Sequence, residues 1–435
     1  MSYFRASRDS APARSGVLSV LDVGTSKVCC MIAKLKPREG GEFLKARTHQ
    51  VQIVGIGHHK SAGVKSGVVI DLVKAEHAIR QAVDAAERMA GLTVDSLIVN
   101  VSAGRLASQV YSASINLGGH EADRSDVKRV LSEGSRRALQ VERQVIHALP
   151  VGYVLDGERG IRDPRGMVGD VLGVDIHVLT GDTAPLRNIE HCINRAHLSV
   201  ERMVATPYAS GLAALVDDEA EMGAACIDMG GGTTSIAIFH EGRFVHADCV
   251  PVGGNHVTMD LARGLTTRFD DAERLKVMHG SALPSGADDR DIVTIPAIGE
   301  EDGYQQQQIP RSVMTRIIRA RVEETLEMIR DRLNRSGFGS IVGKRVVLTG
   351  GASQLAGVPE AARRILGRNV RLGRPLGIAG LPEAAKSAAF ATPVGLLIYP
   401  QVAGAEQSSH TAVQFRMTGT GGPFARVGQW LKESF

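Results

Sequence analysis

The chain is 435 residues long, 43% hydrophobic and 23% charged, with a formal net charge of +4. That length exceeds one small core and predicts two to four domains, while the ordinary apolar content excludes a disordered or fibrous chain. Near-balanced charge gives no ground for nucleic acid as a partner, and no apolar run approaches the roughly 20 residues that span a bilayer.

Residues 1–16 are polar, with Pro12 and several arginines, and read as a disordered leader with no secretory signal. An apolar run then reaches Asp22, turns through Gly24-Thr25-Ser26 and resumes from Val28 to Ile32. The design returns at Ile227-Asp228-Met229-Gly230-Gly231-Gly232-Thr233-Thr234, followed by Ser235 to Phe239. Glycine at a hairpin tip lets backbone N–H groups approach a ligand, the threonines add hydroxyls, and the aspartate places a carboxylate where Mg²⁺ or its water shell could sit. One such hairpin alone is equally well a tight turn without a ligand. Two of them indicate duplication and a pair of jaws for a polyphosphate. Each hairpin is followed by a further strand (Val51 to Gly57, Arg243 to Val252), a glycine turn and a helix, the first helix entered after Asp71 and the second after Gly253-Gly254-Asn255.

Along the first helix Leu72, Ala75, Ile79, Val83, Ala86 and Met89 fall on one stripe, as in a helix covering a sheet, and Gly91 ends it. Residues 94–182 change to short alternating runs (Leu97–Val101, Val110–Ile115, Ile146–Tyr153, Val174–Leu179) around one polar helix near Ser125 to Gln140, which predicts a compact inserted domain. It is either a decorated surface or a protein contact. A helix from Asn188 to His197, a strand at Val200–Val204 and a small-residue helix from Ala209 to Val216 follow, and Asp217 to Glu221 reads as a solvated loop. The five cysteines (Cys29, Cys30, Cys192, Cys226, Cys249) form no CxxC, which predicts free thiols in a reducing compartment.

Asp270 to Gly280 reads as a short helix on which Glu273 and Lys276 share a face, either holding a nucleoside or forming a surface ion pair. Residues 281–309 look loop-rich. A long helix from Arg311 to Leu333 buries Ile318, Val322, Leu326, Ile329 and Leu333, and opens its outer face with Arg311, Arg316, Arg319 and Arg321, a solvated face or a dock for an acidic peptide. Thr349-Gly350-Gly351-Ala352 closes a strand, a suitable seat for an adenosine or an anion at a helix start. No GxxxxGK[ST] occurs, so this is no Walker loop. Ala384 to Tyr399 forms a second small-residue helix suited to a hinge, residues 400–422 a flexible linker, and Phe424 to Phe435 an amphipathic helix. Phe424, Val427, Trp430, Leu431 and Phe435 fall on its apolar side, either the face of a core helix or, after a polar linker, a surface for weak membrane docking.

Together, Asp22 to Ser26, Asp228 to Thr234 and Thr349 to Ala352 resemble the phosphate and adenosine loops of the actin-like ATPase superfamily. The stretches Asp271-Ala272-Glu273-Arg274-Leu275-Lys276 with His279-Gly280, Ala388 to Tyr399, and the terminal helix after a linker narrow the resemblance to the FtsA family of bacterial cell-division proteins, over about residues 17–435. The resemblance implies an α/β, actin-like (ribonuclease H-like) duplicated fold with two lobes around a nucleotide cleft, an inserted α+β subdomain and a C-terminal amphipathic helix. It implies subdomain 1A in two parts (17–93, 183–222) around inserted 1C (94–182). Subdomain 2A likewise comes in two parts (223–254, 339–399, the latter returning to 1A) around 2B (255–338), before the linker (400–422) and the membrane helix (423–435). ATP would be held by Gly24, Thr25, Ser26, Lys27, Gly230, Gly231, Gly232, Thr233, Thr234, Glu273, Lys276, Gly350, Gly351 and Ala352, with Asp22 and Asp228 acting on Mg²⁺ through water. Arg311, Arg316 and Arg319 would take the acidic tail of tubulin-like FtsZ.

The implied role is an adaptor that polymerises at the cytoplasmic face of the inner membrane at the division site. There it would bind phospholipid, anchor the FtsZ ring and recruit later division proteins through the insert. Many superfamily ATPases carry a glutamate or glutamine to orient the attacking water near a junction that here reads Ala205-Thr206-Pro207-Tyr208-Ala209-Ser210, with neither. Slow or negligible hydrolysis is therefore expected. A small-molecule kinase of the same fold, or a pilus-assembly adaptor carrying the same insert, would leave the terminal helix unexplained.

Overall fold

The computed structural model describes residues 16–37, 49–102, 105–138, 143–296 and 306–403. In the first lobe, β1 (Gly16–Val23), β2 (Lys27–Pro37) and β3 (His49–Lys60) form an antiparallel meander. A small ladder of β4 (Val64–Lys65) and β5 (Val68–Val69) leads into α1 (Leu72–Ala90). The Asp71 side chain caps α1 by accepting from Lys74 N at 3.1 Å, and Gly91 closes it in the left-handed conformation that glycine adopts without strain. Then β6 (Ser96–Val101) lies parallel to β1.

The sheet order is β11-β6-β1-β2-β3-β19, with β11 (Ser199–Ala205) parallel to β6 and β19 (Ile378–Ala379) on the far edge. Helix α1 covers one face through Ala75, Ala78, Ile79, Ala82, Val83 and Ala86, all buried. Side chains at Gly55 and Gly57 of β3 would strike the carbonyls of Ala86 and Ala82, so glycine lets the helix seat directly on the strand. The predicted stripe is off at one end, because Met89 is 58% exposed.

Between β6 and α3 (Thr183–Arg195) sits the insert: β7 (Ala107–Asn116), α2 (Arg124–Ala138), β8 (Gln144–Leu155), β9 (Glu158–Ile161) and β10 (Val171–Gly181). Its antiparallel sheet runs β7-β10-β8-β9 and carries a core of its own around Val130, Leu131, Leu172, Val174 and Ile176. The strand at Ser96–Val101, expected inside the insert that was bounded at residue 94, belongs instead to the first lobe's central sheet. Buried from Leu97 to Val101, it has the length and largely apolar content of the insert's own strands, from which the sequence alone could not separate it.

The second lobe repeats the first. β12 (Ala224–Met229), β13 (Thr234–His240) and β14 (Arg243–Val250) form the meander, and β17 (Arg345–Thr349) and β18 (Asn369–Leu372) add the two parallel strands, in the order β14-β13-β12-β17-β18. This equals β3-β2-β1-β6-β11 of the first lobe, the duplication that the two hairpins predicted. Helices α6 (Gly254–Gly264), α7 (Phe269–His279) and α8 (Arg311–Arg335) pack in the second core, with α9 (Val358–Leu366) against β18.

The loop-rich region 281–309 contains an antiparallel pair, β15 (Ile292–Pro296) and β16 (Gln306–Pro310), the glutamine run supplying a strand. The expected loop at Asp217 to Glu221 is instead helix α5 (Asp217–Met222), whose acidic first turn suits the positive end of a helix. Helices α4 (Thr206–Ala214) and α10 (Ala391–Val402) cross beneath the first sheet and reach β13 and β14 through Tyr208, Phe239 and Phe244. Because α10 runs to Val402, the first residues of the expected linker are helical, with Pro400 and Gln401 buried. Among the described residues no helix is long and apolar enough to cross a membrane. The leader and the terminal helix, with Phe424, Val427, Trp430, Leu431 and Phe435, lie outside the described residues.

Candidate functional site

Two tips meet between the lobes. In the first, Gly24 N donates to Lys27 O at 3.0 Å and closes the turn from β1 to β2. In the second, Gly230 N donates to Thr233 O at 2.9 Å, and the carbonyls of Gly230 and Gly231 accept from Gly254 N (2.9 Å) and Asn255 N (2.7 Å) at the start of α6. Side chains at Gly231 and Gly232 would collide with the hydroxyls of Ser26 and Thr25 opposite, so glycine lets the two tips approach this closely. Ser26 Oγ donates to Asn255 Oδ1 at 3.2 Å and Ser66 Oγ to Gly232 O at 3.1 Å, further contacts across the lobes.

The carboxylates sit just behind these tips, Asp22 paired with Cys29 and Asp228 with Ser235 in their hairpins. They are 7% and 6% exposed. Burial raises the Asp22 carboxyl to about 6, against the pull of the Lys27 ammonium and with a further push from Asp228. Burial raises Asp228 as well, opposed by hydroxyl donors from Ser210 and Thr392. Two buried, mutually repelling carboxylates beside backbone-lined tips fit a divalent cation carried on a phosphate chain, since Mg²⁺ commonly takes one or two carboxylates and fills its shell with water and phosphate oxygens. The Lys27 ammonium donates to Ala389 O and stands 4.5 Å from the Phe390 ring centroid. Behind the first tip, Val23 N donates to the buried Asn100 Oδ1 at 2.7 Å, and Asn100 Nδ2 to Thr206 Oγ1 at 3.1 Å.

The third loop closes the group. Gly350 has φ +84°, and a side chain there would strike Asp228 Oδ1. Its N–H donates to Ala388 O at 3.1 Å. A single 3₁₀ turn, Gly351–Gln354, follows, and α9 begins only at Val358, so the expected helix start at Ala352 is a tighter turn. Lys276 Nζ lies 2.7 Å from Glu273 Oε2 and donates to Thr258 Oγ1 (2.8 Å) and Gly254 O (3.2 Å). Gly254 faces Ala352, so the Glu273–Lys276 pair and the glycine loop share one wall. The pair is thus a partly buried ion pair beside the Gly350 loop, as the ion-pair reading of its sequence expected.

The α8 arginines are placed differently from one another. Arg311 Nε donates to His279 O at 2.9 Å, and its guanidinium lies 3.5 Å from Asp291 and 3.8 Å from Asp288, binding the preceding loop to the helix start. Arg319 pairs with Glu323 at 2.7 Å, which also takes Arg364. Arg316 is exposed and has no ion pair among the described residues. The α4 junction is almost wholly buried and presents Thr206, Tyr208 and Ser210 but no carboxylate or amide.

Asn100, Ser210, Thr258, Asn255 and Thr392 were not singled out as site residues from the sequence, since each finds a polar partner on another element. For Ser210, Thr258 and Thr392 the available signal was a hydroxyl at a buried helix position; the amides of Asn100 in β6 and Asn255 in α6 carried none.

Two family models match the chain: "Cell division protein FtsA" over residues 225–395 and "SHS2 domain inserted in FTSA" over residues 103–180. It is 64% identical over 422 residues to Cell division protein FtsA of Rhizobium meliloti (strain 1021), covering 97% of this chain and 96% of that one. Among solved structures it is similar to the PilM-PilN type IV pilus biogenesis complex (TM-score 0.60, 14% identity, 88% of this chain and 98% of that chain). It is also similar to MreB5 of Spiroplasma citri bound to ADP (TM-score 0.51, 12% identity, 89% and 96%). At those identities the solved structures speak for the actin-like fold alone.

Proposed function

The chain belongs to the FtsA family of cell-division proteins, and from that we propose that it is an ATP- and Mg²⁺-binding adaptor of the division machinery. It assembles into filaments at the cytoplasmic face of the inner membrane, anchors the FtsZ ring there and helps recruit later division proteins. The observation that carries the nucleotide part is the meeting of the two glycine tips with Asp22 and Asp228 buried behind them.

Bound Mg²⁺ would neutralise the phosphates and the two carboxylates together. Backbone N–H groups and the hydroxyls of Thr25, Ser26 and Thr233 hold phosphate oxygens, whereas the expected Thr234 hydroxyl is fully buried and donates to Val252 O at 2.8 Å. Glu273 and Lys276 face the nucleoside, and Gly350, Gly351 and Ala352 line its other side. With no carboxylate or amide in α4 to orient a water, turnover is slow and the bound nucleotide acts as a clamp. The terminal helix supplies membrane affinity through Phe424, Val427, Trp430, Leu431 and Phe435. Arg316, with Arg311 and Arg319 beside it, meets the acidic FtsZ tail.

Electron microscopy of the full chain on lipid monolayers, with and without Mg·ATP, tests the reading. Filaments are expected on the lipid with Mg·ATP and are lost from it in Trp430→Glu; lipid-bound filaments of equal abundance without nucleotide, or with Trp430→Glu, would remove the corresponding part.

A further inference from the structure

Ser210 of α4 donates its hydroxyl to Asp228 Oδ2, Thr392 of α10 donates to the same oxygen at 3.1 Å, and the two hydroxyls lie 2.9 Å apart. Ser210, Asp228 and Thr392 are all buried, at 0%, 6% and 7% exposure. Asp228 comes from the second lobe, whereas α4 and α10 pack in the core beneath the first lobe's sheet. Both hydroxyls take one carboxylate oxygen, and the other, Oδ1, lies against Gly350, where no side chain fits.

We propose that Ser210 and Thr392 are positioning residues for Asp228: they orient its carboxylate for the nucleotide-bound cation and tie it to the two helices that cross between the lobes. The inference rests on the ATP·Mg²⁺ reading above. The helices are packed backbone against backbone, because a side chain at Gly395 of α10 would run into the Ala209 backbone of α4, next to Ser210 and one turn from Thr392. The residues just before α10 also receive the other loops, since Lys27 donates to Ala389 O and Gly350 N to Ala388 O. A carboxylate drawn toward a cation must carry these hydroxyls with it or lose them, so occupancy of the site bears directly on the helix pair. Two hydroxyls that merely satisfied a buried charge would contribute stability without any dependence on the cation.

The discriminating measurement is ATP affinity of the full chain, by titration with Mg²⁺ and again with EDTA, for the wild type, Thr392→Val, Thr392→Ser and Ser210→Ala, alongside melting without nucleotide. Thr392→Val is expected to weaken Mg·ATP binding roughly tenfold or more, as for one hydrogen bond to a charged group. It should change Mg-free ATP binding less than about twofold, and Thr392→Ser should restore the wild-type value. Equal losses with and without Mg²⁺, or no loss in Thr392→Val, would overturn the positioning role while leaving nucleotide binding intact. Failure of the wild type to bind Mg·ATP would overturn the nucleotide reading and the inference with it. Should Thr392→Val not fold, Ser210→Ala is judged by the same criteria.

Discussion

Asp22 shows how one buried group links the site to stability. Its carboxyl stands near 6 in the folded chain against an ordinary 3.8, chiefly through burial. The folded state therefore holds the proton more tightly than the unfolded chain, and stability falls as pH rises from about 4 through about 6, with the full cost of about 3 kcal/mol present above that window. Asp22→Asn removes the charge. Without nucleotide or Mg²⁺, its melting temperature should exceed that of the wild type by more at pH 7.5 than at pH 5. A gap that does not widen with pH would place the cost elsewhere. Mg·ATP should in turn stabilise the wild type more at pH 7.5 than at pH 5, because the cation needs the ionised carboxylate. At this scale the sequence was a good guide to Asp22 and Asp228, whose position before a glycine tip is local, and a poor one to Ser210 and Thr392, whose partner comes from another part of the chain.

At the scale of elements, α4 and α10 cross with backbone against backbone at Ala209 and Gly395. Gly395→Ala should destabilise by about 1–3 kcal/mol or more through overpacking, read as a lower urea midpoint with an unchanged slope. An unchanged midpoint would mean that the helices are looser than the contact implies. On α8, the arginines separate by their internal duties. Arg316→Glu should leave stability within about 0.5 kcal/mol and weaken binding of an acidic FtsZ-tail peptide, whereas Arg311→Glu should lower the melting temperature by releasing the loop that ends at Pro310. If Arg316→Glu binds the peptide as the wild type does, α8 is not the dock. The periodicity of α1 and α8 was legible because each buries one stripe. That of α5 was not, because a short, mostly acidic helix gains its order from elsewhere, here through the ion pair of Glu219 with Arg371.

Over the whole molecule, an exposed ion pair between Lys60 at the end of β3 and Asp270 in α7 joins the lobes at 3.0 Å. Lys60→Cys with Asp270→Cys should oxidise to a cross-linked form faster with Mg·ATP than without, seen on a non-reducing gel; equal rates would mean that nucleotide does not alter the separation of the lobes. Four native cysteines are buried and Cys249 is half-buried, which favours the engineered pair as the reacting one.

The sequence by itself determined the duplicated hairpins, the aspartates behind them and the presence of an insert, because strand alternation, glycine tips and helical stripes are short-range consequences of backbone geometry and burial; the actin-like architecture followed from the resemblance of the three loops to a known superfamily. Only the tertiary structure decided that Ser96–Val101 belongs to the first lobe's sheet, that Arg311 is committed to its own loop, and that hydroxyls from two crossing helices share one oxygen of Asp228. These depend on which distant segments pack together, and a buried polar group reveals its purpose only through the partner that satisfies it.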